Sequence, residues 1–419
     1  MNLDYFGQLI RSRREAVPML QKELSEGICT RSMISRIENE DYFPHITIVE
    51  KLLDRLGMPI LDWLERMSLK DPDQKALGLI LDYLQERYEK ERDYETIRKW
   101  MEYLKGIRFE VKPVHRAGLH ALRAFVEDVR QNFKEAEREY KQWINLAREL
   151  QDIPMLAAGL NRLSFMYVNI DPGHASEWIE EAYALVQRHS VPQELSISVQ
   201  LTMSAYRYGI GEYHTAISLL QTVKSRKRLS PISRFRSHNL LGKCYQAVGK
   251  YTDAEEEYKQ TAAYFAYHPS FELIFNNNIG DLYADMGEYK LAFEHQRRSL
   301  EIGEATKQPY FVEIARLRLA KLHNRCGEYE DAETICRQII EHSWNSRNIH
   351  MAKLILSETR FALGDVSCTG MLLEVVQFFQ EQPGTDSVEY LKEAYKLLAK
   401  VNMAPEDTEK LFRTQVRIY

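Results

Sequence analysis

The 419-residue chain has no run of roughly 18 apolar residues, so no segment is built to span a membrane. Its opening residues, MNLDYFGQLIRSRRE, lack the apolar centre of a secretory signal, and a cytoplasmic protein is expected. Cysteine is scarce. The five present, Cys29, Cys244, Cys326, Cys336 and Cys368, are odd in number and form no CxxC pair. That points to reduced, mostly buried thiols and away from disulfides or a zinc site. Neither sign of charge prevails: 56 Lys and Arg stand against 61 Asp and Glu, a formal net charge of −5, which excludes a polybasic binder of the histone kind. Catalytic signatures are missing too. The 12 histidines make no HExxH, and no phosphate-binding glycine loop or Ser/His/Asp grouping is recoverable, so neither enzyme activity nor a cofactor is expected.

What is present begins at residues 20–39, LQKELSEGICTRSMISRIEN. Leu24 and Ile28 offer one buried face, and Gly27 suits the left-handed stop of a first helix. Thr30 suits the N-cap of a second, in which Ile34 and Ile37 face inward at helical spacing. The exposed face of that second helix then carries Arg31, Ser32, Ser35 and Arg36. Guanidinium forks match phosphates and the guanine O6/N7 edge, so this spacing predicts a helix-turn-helix whose second helix enters a DNA major groove. On the flanks, Tyr5–Arg14 puts Phe6, Leu9 and Ile10 inward and Arg11, Arg13 and Arg14 outward. The segment Ile46–Leu56 is apolar at Ile48, Val49, Leu52, Leu53 and Leu56. Four or five short helices over residues 1–67 make a self-folding domain of about minimum size. Residues 1–70 hold 10 Lys and Arg against 11 Asp and Glu, a balance of 10 − 11 = −1. Non-specific attraction to DNA should therefore be weak, leaving binding to placed arginines and to a second half-site from a dimer partner.

This segment resembles the lambda-repressor-like (XRE-type) DNA-binding domain, and RSMISRIEN carries the resemblance. It implies that Gln21 opens the second helix of the domain and touches backbone phosphate, and that Arg31, Ser32 and Arg36 reach base edges. Glu38 and Asn39 would close the recognition helix. There are two departures: the GICT turn is one residue shorter than in most such repressors, and Glu40 replaces the customary glycine.

After residue 75 a repeat dominates. In LLGKCYQAVGKYTDAEEEY, Gly242, Tyr245, Gly249, Tyr251, Ala254 and Tyr258 fall at offsets 0, 3, 7, 9, 12 and 16. Gly280, Tyr283, Gly287, Tyr289 and Ala292 repeat the pattern, as do Ala320, His323, Gly327, Tyr329, Ala332 and Cys336. Weaker copies hold Gly211, Tyr213, Ala216 and Leu220; Tyr167, Ala175 and Ile179; and Phe133, Ala136 and Tyr140. A first degenerate copy contains Tyr94 and Met101. The period, 37–40 residues, lies slightly above the 34 of a tetratricopeptide repeat. A small residue in the middle of the first helix lets the second approach, and the glycine at offset 7 allows the turn between them. One such hairpin cannot bury its own apolar stripe, so the units stack. The expected fold is all-α: the helix-turn-helix domain over 1–67, a linker at 68–74, a right-handed tetratricopeptide superhelix of about eight repeats over 75–380, and a helical cap or final repeat over 381–419.

The first helix of each repeat should line an inner, concave face. Three residues before the small position stands an asparagine in three repeats: Asn161, Asn239 and Asn277. An amide offers two donors and an acceptor, so a ladder of them suits the backbone of an extended peptide. Lys243, Gln246, Asp281, Lys321, Asn324 and Arg325 are nearby inward positions, and their cations suit a carboxylate terminus or acidic side chain. Phe165, Leu201 and Tyr208 would form apolar pockets.

A short-turned XRE-type domain, a short linker and a long tetratricopeptide array together resemble the RRNPP group of peptide-responsive quorum-sensing regulators of Gram-positive bacteria. The likeness covers the whole chain and is nearest the NprR and PlcR branches in length and repeat number. It implies a cytoplasmic transcription factor, a homodimer or tetramer on a palindromic operator in double-stranded DNA, gated by a short signalling peptide clamped by Asn161, Asn239 and Asn277. Two alternatives stay open at this point. One is a Rap-like binder or phosphatase of a response regulator, acting through a glutamine such as Gln85. The other is a repressor gated by a protein partner.

Overall fold

In the computed structural model of the chain, residues 6–58, 78, 81, 84, 111–130, 132–168, 171–268, 270–306, 309–343, 345–365, 367–381 and 387–401 are described. Every regular element among them is a helix, and none is long and apolar enough to cross a membrane. The five thiols form no disulfide; Cys244, Cys336 and Cys368 are buried and Cys326 is exposed. Internal contacts divide the chain into residues 1–159 and 160–419.

The first unit opens with α1 (Phe6–Ala16), α2 (Gln21–Ser25), α3 (Arg31–Glu38) and α4 (Ile46–Arg55). Phe6, Ile10, Leu24, Ile34, Ile37, Val49, Leu52, Leu53 and Leu56 form its buried core, each worth about 1.5–3 kcal/mol relative to exposure. The helix ends follow from local chemistry. At the start of α2 the Leu20 backbone N–H donates to Glu23 Oε2 at 2.6 Å, and after its end Gly27 takes φ 69°. Thr30 Oγ1 caps α3 by accepting the Met33 amide at 3.2 Å. From α4, Arg55 Nη1 donates to the carbonyls of Glu23 and Leu24 at 3.2 Å each, and to that of Glu26. A guanidinium thus answers the orphan carbonyls, and the negative dipole end, of α2. Glu40, where a glycine is customary in the family the domain resembles, takes φ 64°. Later in the unit, α5 (Pro113–Val129) and α6 (Phe133–Glu149) form a hairpin. Phe125, Tyr140 and Trp143 pack between them with ring centroids 6.0–6.4 Å apart.

The helix α7 (Ile153–Val168) starts in the first unit and ends in the second. After it come α8 (Pro172–Arg188), α9 (Gln193–Gly209), α10 (Tyr213–Lys224), α11 (Pro231–Ala247), α12 (Tyr251–Gln260), α13 (Phe271–Asp285), α14 (Tyr289–Ala305), α15 (Pro309–Arg325), α16 (Tyr329–His342), α17 (Ser346–Ala362), α18 (Thr369–Glu381) and α19 (Ser387–Val401). A 3-10 stretch, Thr261–Tyr267, prolongs α12. From α5 to α18 the described residues make seven helix pairs, and α19 follows as one further helix. The repeat letters do the expected work. Gly211, Gly249, Gly287, Gly327 and Gly364 turn the chain between first and second helices at φ 74–85°, a region closed to most side chains. A Cβ on Gly242 would lie 2.5 Å from Tyr258 Cε1, so only glycine admits the fully buried tyrosine of α12. Between repeats, the Tyr283 hydroxyl donates to Glu255 Oε1 at 2.7 Å. The linker at 68–74, Tyr94, Met101, Gln85 and the segment DTEKLFRTQVRIY lie outside the described residues.

Candidate DNA-binding and ligand-binding surfaces

On α3, Arg31, Ser32 and Arg36 are exposed and Ser35 is half-buried. Arg31 forms no ion pair with a described carboxylate, and the Arg36 guanidinium lies over the Tyr42 ring, 5.0 Å from its centroid. The stacking orients Arg36 without neutralising it.

Two residues expected on the outside turn inward. Arg14 Nε donates to Glu38 Oε1 at 2.6 Å and its Nη2 to Glu38 Oε2 at 3.0 Å. The two side chains are only 13% and 1% exposed. Gln21 opens α2 as expected, and its amide donates one N–H to Glu38 Oε2 at 2.9 Å, so one of its two donors is spent inside the domain. Burial alone would raise the Glu38 carboxyl. The Arg14 and Gln21 hydrogen bonds outweigh it and hold the group below its ordinary range. Glu38 and Asn39 are structural. The Asn39 Oδ1 accepts from Arg11 Nη2 at 2.7 Å.

In the second unit the register of the inner helices differs from the sequence expectation. The position three before the small residue is occupied by Asn161, Leu201, Asn239, Asn277, Leu317 and Leu354 in successive repeats. The leucines are 1–2% exposed and sit within apolar clusters. This is a core register, so Leu201 lines no pocket. Asn161 and Asn277 are likewise buried, 4% and 3% exposed. Asn161 Nδ2 donates to Ser198 Oγ at 3.1 Å, and the side-chain carbonyls of both residues have no hydrogen-bond partner among the described residues. Asn239 is half-buried and accepts from Asn278 Nδ2 of the next repeat at 2.7 Å. The asparagines therefore lie between helices rather than on an open ladder. A register shared by buried amides and buried leucines marks a seam between helices.

The accessible line runs one residue past the small position, through Phe165, Ala205, Lys243, Asp281, Lys321 and Glu358. Phe165 is 39% exposed under the guanidinium of Arg236, 5.0 Å from the ring centroid. Asp281 accepts from Arg318 Nε at 2.9 Å and from Gln296 Nε2 at 3.1 Å. Its side chain is 41% exposed, yet desolvation still raises its carboxyl against the pull of Arg318, Lys243 and Lys321. Lys321 Nζ pairs with Glu393 Oε1 at 3.2 Å. Burial works against its ammonium, but Glu393 and Glu358 prevail and raise it. One turn on, Gln246 Nε2 donates to Asp285 Oδ2 at 2.8 Å, Arg325 Nη1 reaches Asp285 Oδ1 at 3.4 Å, and Asn324 is half-buried. Tyr208 is half-buried too, but it packs on the apolar cluster of Leu201 and Leu220, so little of it is open to form a pocket. Sequence reading missed Arg236, Arg318, Glu358 and Glu393. Glu358 was within reach, since Gly364 fixes the register of its repeat.

Comparison with known proteins agrees with this layout. A helix-turn-helix family model matches residues 10–63, and a tetratricopeptide repeat model matches residues 275–305. No curated protein sequence matches the chain significantly. Among solved structures, a Rap protein complexed with competence and sporulation factor is 13% identical; the alignment covers 98% of this chain and 99% of that one, with a TM-score of 0.56. The apo form of the quorum sensor NprR from B. thuringiensis is 12% identical over 93% and 99%, TM-score 0.55. A signal-transduction ATPase with a tetratricopeptide repeat sensor, from Pyrococcus horikoshii, is 13% identical over 98% and 65%, also with TM-score 0.55. At such identities the likeness is one of fold. The chain joins a helix-turn-helix domain to tetratricopeptide-like repeats, and NprR and Rap, members of the group its sequence resembles, share that fold.

Proposed function

We propose that the chain is a transcription regulator that binds DNA through α3 and is gated by a short extended peptide held on the inner lane of its repeats. The observation that carries the DNA half is the contrast among arginines. Arg14 and Arg55 are consumed inside the domain, while Arg31 and Arg36 stand exposed on one face of a capped helix without a described acidic partner. Because the domain is nearly neutral, one copy is a weak binder, and a homodimer or tetramer on a palindromic operator supplies the second half-site. The peptide half rests on the charged lane of the inner helices and on the fold shared with the quorum sensor NprR. Lys243, Gln246, Lys321 and Asn324 are its polar contacts. Asn239, the half-buried asparagine, is the amide best placed to exchange its Asn278 bond for a peptide backbone. A ligand that favours one arrangement of the stacked repeats shifts the population of that arrangement, and with it the spacing of the paired recognition helices.

The reading is tested by selecting operator fragments from random duplex DNA with the full chain, then measuring calorimetric binding of synthetic peptides encoded by small secreted reading frames beside its gene. Arg36→Ala should abolish operator binding and leave peptide affinity intact. Asn239→Ala should weaken peptide binding without unfolding the chain. Absence of any selected duplex would defeat the DNA half, and absence of peptide binding would defeat the gating half.

A further inference from the structure

Helices α13 and α14 meet across an interior that is polar where the adjoining repeats are mostly apolar. Sixteen residues after the small position of each first helix stand Leu220, Tyr258, Gln296 and Cys336 in successive repeats. Nineteen residues after it stand Val223, Thr261, Ser299 and Ile339. All are 0–3% exposed, and so is Asn277, three before the small position Gly280. The preceding repeat uses its polar atoms. The Tyr258 hydroxyl donates to Gln246 Oε1 at 3.0 Å, and Thr261 Oγ1 donates to the Tyr258 carbonyl at 2.6 Å. In α13–α14 only half of this is done. Gln296 Nε2 donates to the Asn277 backbone carbonyl at 3.0 Å and to Asp281 Oδ1 at 3.1 Å. Gln296 Oε1, Asn277 Oδ1 and Ser299 Oγ are buried with no partner among the described residues, a condition shared there by just two other side-chain atoms, Arg123 Nε and Asn161 Oδ1.

We propose that α13–α14 is the hinge of the array: its seam opens before those of the pairs that flank it, and the helices on either side move about it as two blocks. In stacked repeats each unit touches only its neighbours, so stability is a local sum and one weak unit yields by itself. Here the sum is low for two reasons. Amides and a hydroxyl replace apolar side chains, and burying a polar group without a partner costs free energy that opening the seam to water returns. The helix itself adds to this, because Asn276, Asn277 and Asn278 in a row are of modest helix propensity. Segments that move in a switching protein are drawn from such low-stability units. The hinge stands apart from the peptide reading, since no ligand is needed for the seam to open.

The test is amide hydrogen exchange of the full chain without ligand, read by mass spectrometry helix by helix. Amides of α13 and α14 should exchange at least about tenfold faster than those of α11 and α15, and the two helices should open together. Gln296→Met removes one orphan carbonyl at similar side-chain length, and Ser299→Ala removes the orphan hydroxyl without added bulk. Together they should slow α13 and α14 at least about fivefold and leave α9 unchanged. Ser299→Ala alone should slow both by about two- to threefold, so a poor fit of methionine cannot hide the effect. The movement is read as the distance between nitroxides at Ser218→Cys on α10 and Glu341→Cys on α16, both exposed, with Cys29 and Cys326 replaced by Ser. The distance distribution should be broad in that chain and should narrow when Gln296→Met and Ser299→Ala are added. Exchange of α13 and α14 no faster than that of α11 and α15, or unslowed in both variants, would overturn the hinge. A distribution that the two substitutions leave unchanged would overturn it as well.

Discussion

Replacing Arg14 with Met separates a structural arginine from a DNA-binding one. Arg14 grips both oxygens of Glu38, whose side chain is 1% exposed. Removing one partner of a buried ion pair typically costs about 3–5 kcal/mol, because the other charge stays buried. Gln21 and Arg11 remain on Glu38, so the lower limit applies, about 3 kcal/mol. Helix α3 is the reporter. At about 1.4 kcal/mol per tenfold, its amides should exchange roughly 100-fold faster in Arg14→Met at pH 7. Adding Glu38→Leu should recover most of the loss, since replacing both members of a buried pair by apolar groups is close to neutral.

The pH dependence fixes the cause. In the wild type the Glu38 carboxyl sits below its ordinary range, so its contribution is present above the unfolded carboxylate pKa and is lost as pH falls through the folded value. Without Arg14, burial dominates and the folded pKa moves above the unfolded one. The penalty is then felt at neutral pH and relieved on protonation. The exchange ratio of variant to wild type should therefore shrink from roughly 100 at pH 7 to a few-fold at pH 4. A ratio below about threefold at pH 7, or one that ignores pH, would refute this account of the pair.

Two further changes test backbone geometry. Glu40 holds φ 64°, which costs a non-glycine residue about 1–2 kcal/mol, while glycine returns about 0.4–1 kcal/mol through the unfolded chain. Glu40→Gly should therefore slow exchange of α3 by a net of about 0.5–1 kcal/mol, whereas Glu40→Val should speed it. Gly242→Ala puts a Cβ 2.5 Å from the ring of the fully buried Tyr258. Overpacking of that kind costs about 1–3 kcal/mol and should lower the melting temperature despite the better helix propensity of alanine.

Local signals in the sequence were legible where one residue type answers one geometric need. Gly27, Thr30 and the glycines at offset 7 stand where a left-handed turn or a cap requires them, and their helices begin and end there. Arg14 was not legible. Its place in the helical period is polar whether it points to water or bends under to Glu38, and only the approach of α1 to α3 decides. The charged lane was legible by register but not by partner. Lys321 and Glu393 are 72 residues apart, and no local spacing relates them.

The asparagines show the same limit at the level of function, and they supply a sharper test. Comparing Asn277 with Leu201, Leu317 and Leu354 at the same register shows what the position wants for stability alone. The Asn277 side-chain carbonyl is buried without a partner among the described residues, a state that costs about 1–3 kcal/mol, and leucine would add apolar burial worth about 1.5–3 kcal/mol, partly offset by the fit of a larger side chain. Asn277→Leu should therefore stabilise α13 by about 1–2 kcal/mol, read as about 5- to 30-fold slower amide exchange over residues 271–285. If the amide is kept for a ligand that opens the seam, the same variant should lose peptide binding while gaining stability. Faster exchange would show that Asn277 holds the repeat together, and the leucine register would then be no guide to it. Slower exchange with unchanged peptide affinity would take Asn277 out of the ligand site and leave Asn239 as the amide to pursue.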